Sequence, residues 1–321
     1  MRVTPLTAWR WGLAGLLLLV VAGFRGSTAA QAATLRWKFQ PGETLHYAMD
    51  QKTITSVKGG PQEIKSTMSQ TIDMEWVVKD IGADGLTSLT QTVTRVRSKI
   101  ESAYGAFEFD SKEAKDPEGP IAAGLVPLLR ALVGAEFSFK MNAQGEVSDV
   151  KVPEKVLESI KKSGSLGGNA GKFSEEGMKN MVVEAGLAFP KEDLEKGKSW
   201  TRESKISMLP IGTMIHDKVY TYQGPETKEA KNLERIDLVT KIDIQLAPGN
   251  NIEMKVQSQD GKGSFLFDAA AGRVAESTVS EKIEMVFTLK VGDQENQITQ
   301  GNETTTSMKL VKGQEVDPSK K

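Results

Sequence analysis

The chain has 321 residues, no cysteine, and 41 basic side chains against 42 acidic ones. The missing cysteine excludes disulfides, thiolate metal sites and cysteine catalysis. The balanced charge argues against nucleic acid or an anionic lipid surface as a partner.

The first residues read as an export tag. Arg2 and Arg10 are followed by an apolar run from Trp11 to Phe24, and Ala30-Gln31-Ala32 has the small-x-small form that signal peptidase needs. Residues 1–32 are therefore expected to be a signal peptide, leaving no transmembrane span after processing. The expected location is the periplasm or the extracellular space. An uncleaved anchor helix is the alternative, but the run is short for a membrane span.

A first β-rich half is expected over 33–162. Leu35, Trp37 and Phe39 alternate with polar residues, the period of a half-buried strand. Pro41-Gly42 turns the chain, and Leu45, Tyr47 and Met49 form the next face. Met68, Ile72, Met74, Trp76 and Val78 share one side of a long strand, and Asp84-Gly85 marks a hairpin. In the strand that follows, Leu89 and Val93 share their side with Gln91 and Arg95, as on a face that is partly covered or lines a polar cleft. Phe107 and Phe109 mark a short strand. The apolar stretch 121–133 reads as a buried helix closing the concave side of a curved sheet. Phe137, Phe139 and Met141 make another strand, and a second helix is expected over 153–162.

Residues 163–171, with Gly164, Gly167, Gly168 and Gly171, read as a glycine-rich linker and not a phosphate loop, because Phe173 stands where Ser or Thr should hold magnesium. A second β-rich half is expected over 172–312. It begins with a short helix whose buried edge is Met178, Met181 and Val182. Ile215, Lys218 and Tyr220 mix across both faces of one strand. Ile236, Leu238, Ile242, Ile244 and Leu246 share one face of the next. Pro248-Gly249-Asn250, Asp260-Gly261-Lys262-Gly263 and Ala271-Gly272-Arg273 are read as turns between strands carrying Met254, Phe265, Phe267 and Ile283 to Val291. Residues 313–321 form a charged tail expected to fray.

Two phrases echo each other. Gly42-Glu43 before Tyr47 resembles Gly197-Lys198 before Trp200. Gly105-Ala106-Phe107-Glu108-Phe109-Asp110 resembles Gly263-Ser264-Phe265-Leu266-Phe267-Asp268. The pattern fits two duplicated half-units, with chance likeness between strands as the alternative. The fold class expected is mainly β (α+β): curved antiparallel sheets with a few packed helices.

The phrases Asp84 to Leu89, Phe109-Asp110-Ser111 and Phe267-Asp268 with Gly272-Arg273-Val274 make the chain resemble a family of uncharacterised exported bacterial proteins, frequent in planctomycetes and Bacteroidetes. That family brings no assigned chemistry. The last phrase also resembles strands of periplasmic lipoprotein-carrier folds, in which a curved sheet cups acyl chains against helices. The resemblance implies a similar cup here.

No catalytic constellation stands out. His46 and His216 are read as surface residues without a marked nucleophile, and neither Gly-x-Ser-x-Gly nor His-Glu-x-x-His occurs. Asp110, Asp260 and Asp268 lack calcium-loop spacing; Asp110 and Asp268 are read as turn caps. No cofactor or metal is expected. The residues favour a non-enzymatic envelope protein that binds a lipid-like or hydrophobic ligand, or another envelope protein. Its ligand-lining side chains are expected to include Met74, Trp76, Phe137, Phe139, Met254 and Phe267. A secreted hydrolase acting on envelope polymers and a protein-interaction or structural module are the alternatives.

Overall fold

A computed structural model describes residues 32–60, 62–162, 175–184, 186–208, 212–248, 252–291 and 294–312. The expected leader, the glycine-rich segment 163–171 and the tail 313–321 lie outside these residues, apart from Ala32. The elements are β1 (Thr44–Gly59), β2 (Gln62–Ile81), β3 (Thr87–Ser102), β4 (Gly105–Asp110), α1 (Pro120–Leu132), β5 (Glu136–Met141), β6 (Val147–Lys151), α2 (Glu154–Lys162), α3 (Glu175–Glu184), β7 (Ser199–Met208), β8 (Gly212–Lys228), β9 (Lys231–Leu246), β10 (Ile252–Asp268), β11 (Arg273–Val291) and β12 (Gln294–Val311).

All twelve strands join one antiparallel sheet, in the order β6-β5-β3-β2-β1-β12-β11-β10-β9-β8-β7, with β4 beside β3. The chain starts in the middle at β1 and winds outward to the edge at β6. It then crosses through α2 and α3 to the other edge at β7, and winds back until β12 pairs with β1. The sheet is therefore a meander with one open seam, between β6 and β7. α3 packs against both of those edge strands and sits at the seam.

One face of the sheet carries almost all the large apolar side chains, because strand alternation is kept in register from strand to strand. On this inner face Leu45 and Tyr47 stand beside Trp76 and Met74, Phe137 and Phe139 flank Leu89, and Tyr220 and Tyr222 neighbour Leu238 and Ile236. They form one buried cluster with Phe267, Val156, Met178, Val182, Leu187 and Phe189. α1 covers a second cluster of Val93, Val96, Phe107 and Phe109 with its own Val126 and Leu129, as the sequence predicts for this helix.

Several expectations are corrected. Residues 34–40 are not a strand: a single bridge joins Ala33 to Leu194, and Trp37 N–H and Lys38 N–H donate to loop carbonyls of Ala143 and Gly272. Their alternation still places Leu35 and Trp37 in the core, because the extended segment is packed under the sheet as a plug. Asp260 to Gly263 is not a turn but the middle of β10. Met181 is 55% exposed, while Met178 and Val182 face inward. A register shift between Asp73 and Met74, opposite Val93 and Arg95, lets both Val93 and Val96 point into the core while Arg95 turns out to Asp110, at 3.0 Å and 2.5 Å. This ion pair and the Lys112 N–H hold the Asp110 carboxyl down at about 2.

The echo in sequence has a structural counterpart. Gly42 N–H donates to Val78 O and Val78 N–H to Glu43 O; 155 residues later Gly197 N–H donates to Tyr222 O and Tyr222 N–H to Lys198 O. The Asp110 and Asp268 carboxylates each accept a backbone N–H from the turn that follows, those of Lys112 and Ala271.

Trp37 holds the plug in place. It stacks on Phe39 and Trp76 at 5.9 and 6.1 Å, meets Phe267 edge-on at 5.8 Å, and donates Nε1–H to Leu187 O at 2.7 Å. Trp37→Ala is expected to cost about 3–5 kcal/mol in urea unfolding, whereas truncating exposed Tyr104 to Ala should leave the midpoint nearly unmoved.

Candidate functional site

Rows across the inner face divide it into three zones. The first is the aromatic core already described. Next comes a polar belt in two rows. The first runs Arg202, Lys218, Thr240, Gly261, Glu281, Thr304, Thr53 from β7 to β1. The second includes Ser204 and His216 beside Ile242, and Gln259, Ile283, Asn302 and Thr55. Side chains link these rows directly: Thr53 and Thr304 hydroxyls lie 3.1 Å apart, and Thr55 donates to Asn302 at 2.9 Å.

Beyond the belt the inner face turns apolar again. Ile206, Met214, Ile244, Val256, Met285 and Met254 lie here, with Phe287, Ile298, Val57 and Ile64. These side chains belong to neither buried cluster, and Ile298 is 40% exposed. Against the aromatic core the chain lays its own plug and helices; at the β7 edge of this outer apolar zone α3 also comes close, its Asn180 donating to Lys205 O at 3.4 Å.

The sheet also splits here. β9 and β10 are paired from Glu234–Phe267 to Thr240–Gly261 and then part, although β9 continues along β8 to Leu246 and β10 along β11 to Ile252. The Gln259 carboxamide bridges the start of the split, accepting from Ile242 N–H at 2.6 Å and donating to Ile242 O at 3.0 Å. Two grooves of about 640 Å³ each open at this place. Met254, Lys255 and Gln257 line both of them; one adds Leu246 and Val286 with Glu253, Thr288 and Gln297, and the other Ile242, Ile244 and Val256 with Asp217, Lys241 and Asp243.

Gly261 makes the corner possible. Thr240 Oγ1 donates to Glu281 Oε1 at 2.9 Å, reaching from β9 to β11 above the strand between them. A Cβ on Gly261 would come within 1.9 Å of Thr240 Oγ1. Glycine here lets the sheet bend sharply enough for that contact.

Of the expected lining residues, Met74, Trp76, Phe137, Phe139 and Phe267 lie together in the aromatic core, between 0% and 7% exposed and packed on the protein's own side chains. Met254 lies apart from them, half-buried at the split. His46 is on the outer face, with Nδ1 3.4 Å from Glu75. His216 is not a surface residue; it is half-buried on the inner face. Sequence reasoning missed Arg202, Lys218 and Glu281. The signal was the polar admixture in the β8 pattern, which strict alternation from Met214 to Tyr222 resolves into one inward face. Burial pushes the Lys218 ammonium below the usual lysine range, with Glu281 opposing the shift.

The outer face carries charge along its length, with Lys52, Lys65, Arg97, Lys282 and Glu303 among its side chains. A lipid-facing barrel wall needs an apolar band there. Among the described residues no helix is long and apolar enough to cross a membrane, and no group of three or more His, Asp or Glu side chains is gathered to hold a metal ion.

Residues 84–272, more than half of the chain, match the model of a Family of unknown function (DUF6263). No curated protein matches. Among solved structures, the chain is similar to one described as lipid–protein interactions in lipovitellin, at 14% identity and TM-score 0.45, covering 86% of this chain but only 26% of that one. An outer membrane channel from Pseudomonas putida F1 gives 7% identity, 85% and 97% coverage and TM-score 0.22. A DUF1329 family protein from Desulfovibrio piger gives 9% identity, 83% and 86% coverage and TM-score 0.14.

Gly261→Ala is expected to lower stability by about 1–3 kcal/mol, because the new methyl group must displace Thr240; urea unfolding measures it. Lys218→Met should raise the urea midpoint at neutral pH. A lysine with a lowered pKa binds its proton less readily when folded, so wild-type stability gains on the variant as pH rises from the lowered value toward 10.5. A gap between the two that stays constant with pH would contradict this.

Proposed function

We propose that this protein, which belongs to a family of unknown function (DUF6263), is a non-enzymatic binding protein that holds an aliphatic chain along the uncovered apolar zone of its inner sheet face. The supporting observation is the row of half-buried Ile206, Met214, Ile244, Met254 and Met285, which lie outside both packed clusters and beside an opening between β9 and β10. Apolar surface left uncovered in a concave wall gains by covering, at about 25 cal/mol per Å². Unbranched methionine side chains adjust to ligands of varied shape. The charged outer face keeps the molecule soluble while the inner face carries the ligand. The leader-like start of the sequence supports an address in the periplasm or outside the cell, where a lipid-like molecule needs escort through water.

In this reading the aromatic core is a scaffold. Its side chains are packed on Trp37, Leu187 and Phe189, so it offers no room for a guest. The ligand zone begins only past the polar belt, and Met254 is the expected lining residue that reaches it.

Nile red, an uncharged apolar dye, tests the reading. Its fluorescence should rise saturably with the wild-type protein and be displaced by monopalmitoylglycerol. Met254→Asp and Met285→Asp should each weaken binding roughly tenfold or more, since a carboxylate in an apolar wall must be desolvated by the ligand. Lys282→Gln on the outer face serves as the control. No saturable binding by the wild type would refute the proposal.

A further inference from the structure

The split between β9 and β10 leaves two strand edges facing each other. β9 stays paired to β8 as far as Leu246 and β10 to β11 as far as Ile252, so both backbones remain extended although their mutual ladder ends at Thr240–Gly261. Ile242 shows which groups point into the opening: its N–H and C=O both engage the Gln259 carboxamide across it. In a strand the N–H and C=O of one residue point to the same side, and that side recurs at every second residue. Ile244 and Leu246 therefore also aim a donor and an acceptor into the split, where β10 gives them no ladder partner among the described residues.

The Gln259 carboxamide resembles a peptide group, with donor and acceptor in one plane. It fills the first rung of an empty strand position, and β9 runs on from there to Leu246, four residues farther, or roughly 13 Å at ~3.3 Å per residue. The two sides of that position differ. Ile244, Met254 and Val256 are half-buried on the inner side, while Asp243 and Lys255 are exposed on the outer one. What fits between them is a main chain whose apolar and polar side chains alternate, as in an extended strand. An aliphatic tail in the same place would leave the facing N–H and C=O groups without partners.

We infer that the split receives an extended peptide segment of a partner protein, added as a strand between β9 and β10. Its main chain pairs with Ile244 and Leu246 on one side and with the facing edge of β10 on the other. Because β9 and β10 run antiparallel, the added strand is parallel to one and antiparallel to the other. Its apolar side chains lie on Ile244, Met254 and Val256, and its polar ones face water. Gln259 marks where insertion stops, since the β9–β10 ladder is closed from Thr240 onward. The peptide and the aliphatic ligand proposed above are separate partners, although Met254 borders both.

A fluorescein-labelled peptide of alternating threonine and valine, followed by anisotropy with the full chain, tests this. Main-chain bonds carry the affinity in strand addition, so a generic alternating sequence suffices. The peptide should bind saturably, and hydrogen exchange at the Ile244 and Leu246 amides should slow when it is added. The same peptide with alternate backbone nitrogens methylated loses its donors on one edge and should bind about tenfold more weakly or worse. The chain has no cysteine, so Asp243→Cys combined with Lys255→Cys places thiols only on the two rims of the split. A bis-maleimide bridge across them should lower the affinity of that variant about tenfold or more relative to its unbridged form. Absence of saturable binding to the wild type, equal binding of the methylated peptide, unchanged exchange at Ile244 and Leu246, or undiminished binding after bridging overturns the inference. A dimer in sedimentation velocity that the bridge disperses gives the split to a strand of a second copy and overturns it too. Nile red binding, read separately, decides the aliphatic site.

Discussion

The fold depends on Trp37 being buried between the two flanks of the sheet. Its ring touches Trp76 on β2 and Phe267 on β10, which stand on opposite sides of the central β1–β12 pair, and its Nε1–H meets the Leu187 carbonyl from the segment after α3. One side chain thus ties together the first flank, the second flank and the crossover that joins them. A sheet with an open seam has no ladder to hold its edges, so the interior has to do it. Gly145, at φ +89°, fits under the indole because a Cβ there would come within 2.5 Å of Nε1 and 2.3 Å of the Leu187 oxygen. The close approach of this turn to the plug is therefore a sequence requirement as strict as the tryptophan itself.

Concentrating the core at one end has a consequence for the other. The long strands continue past the aromatic cluster as a wall whose side chains join neither buried cluster of the described residues. What holds that wall is hydrogen bonding between side chains on neighbouring strands, as in Thr53–Thr304, Thr55–Asn302 and Gln51–Thr306, together with the backbone ladder. Such contacts contribute modestly each, but they fix register across the β1–β12 pair, against which no described helix is packed. Flatness would leave the apolar rim open to a second sheet. The corner at Gly261, where β9 and β11 come close enough for Thr240 to reach Glu281, curls the wall instead.

Much of this architecture is legible in the sequence, because alternation is a local signal. The inward faces of β1, β2, β5 and β9 can be read from Leu45–Tyr47, Met74–Trp76–Val78, Phe137–Phe139 and Ile236–Leu238. The failures have physical causes. A bulge adds one residue and reverses the phase, so Arg95 reads as inward when it is not. Alternation reports burial and not pairing, so the plug at Leu35–Trp37 reads as a strand. Glycine serves both turns and close approaches, and Asp260–Gly263 belongs to the second kind. The β8–β9 turn uses Glu229 and Ala230 at positive φ with no glycine, leaving no signal to find. The candidate site was the least legible part: the Arg202–Lys218 pairing exists only through the register of β7 on β8, and the split of β9 from β10 only through the end of a ladder.

That split is costly in a way that bears on its purpose. Where two strands part, their facing N–H and C=O groups lose ladder partners and must turn to water or to side chains. The Gln259 carboxamide meets this at Ile242 by presenting an acceptor and a donor where a neighbouring strand would. It acts as a stop, ending the separation at a defined rung, so that the Thr240–Gly261 corner below it stays closed. Past the stop, Met254 and Ile244 line a gap that a fully zipped hairpin would not have. A hairpin of this length could have remained paired to its tip, as β8 with β9 and β11 with β12 nearly do. Parting at the place where the inner face changes from polar belt to apolar wall joins the opening to the surface it would serve.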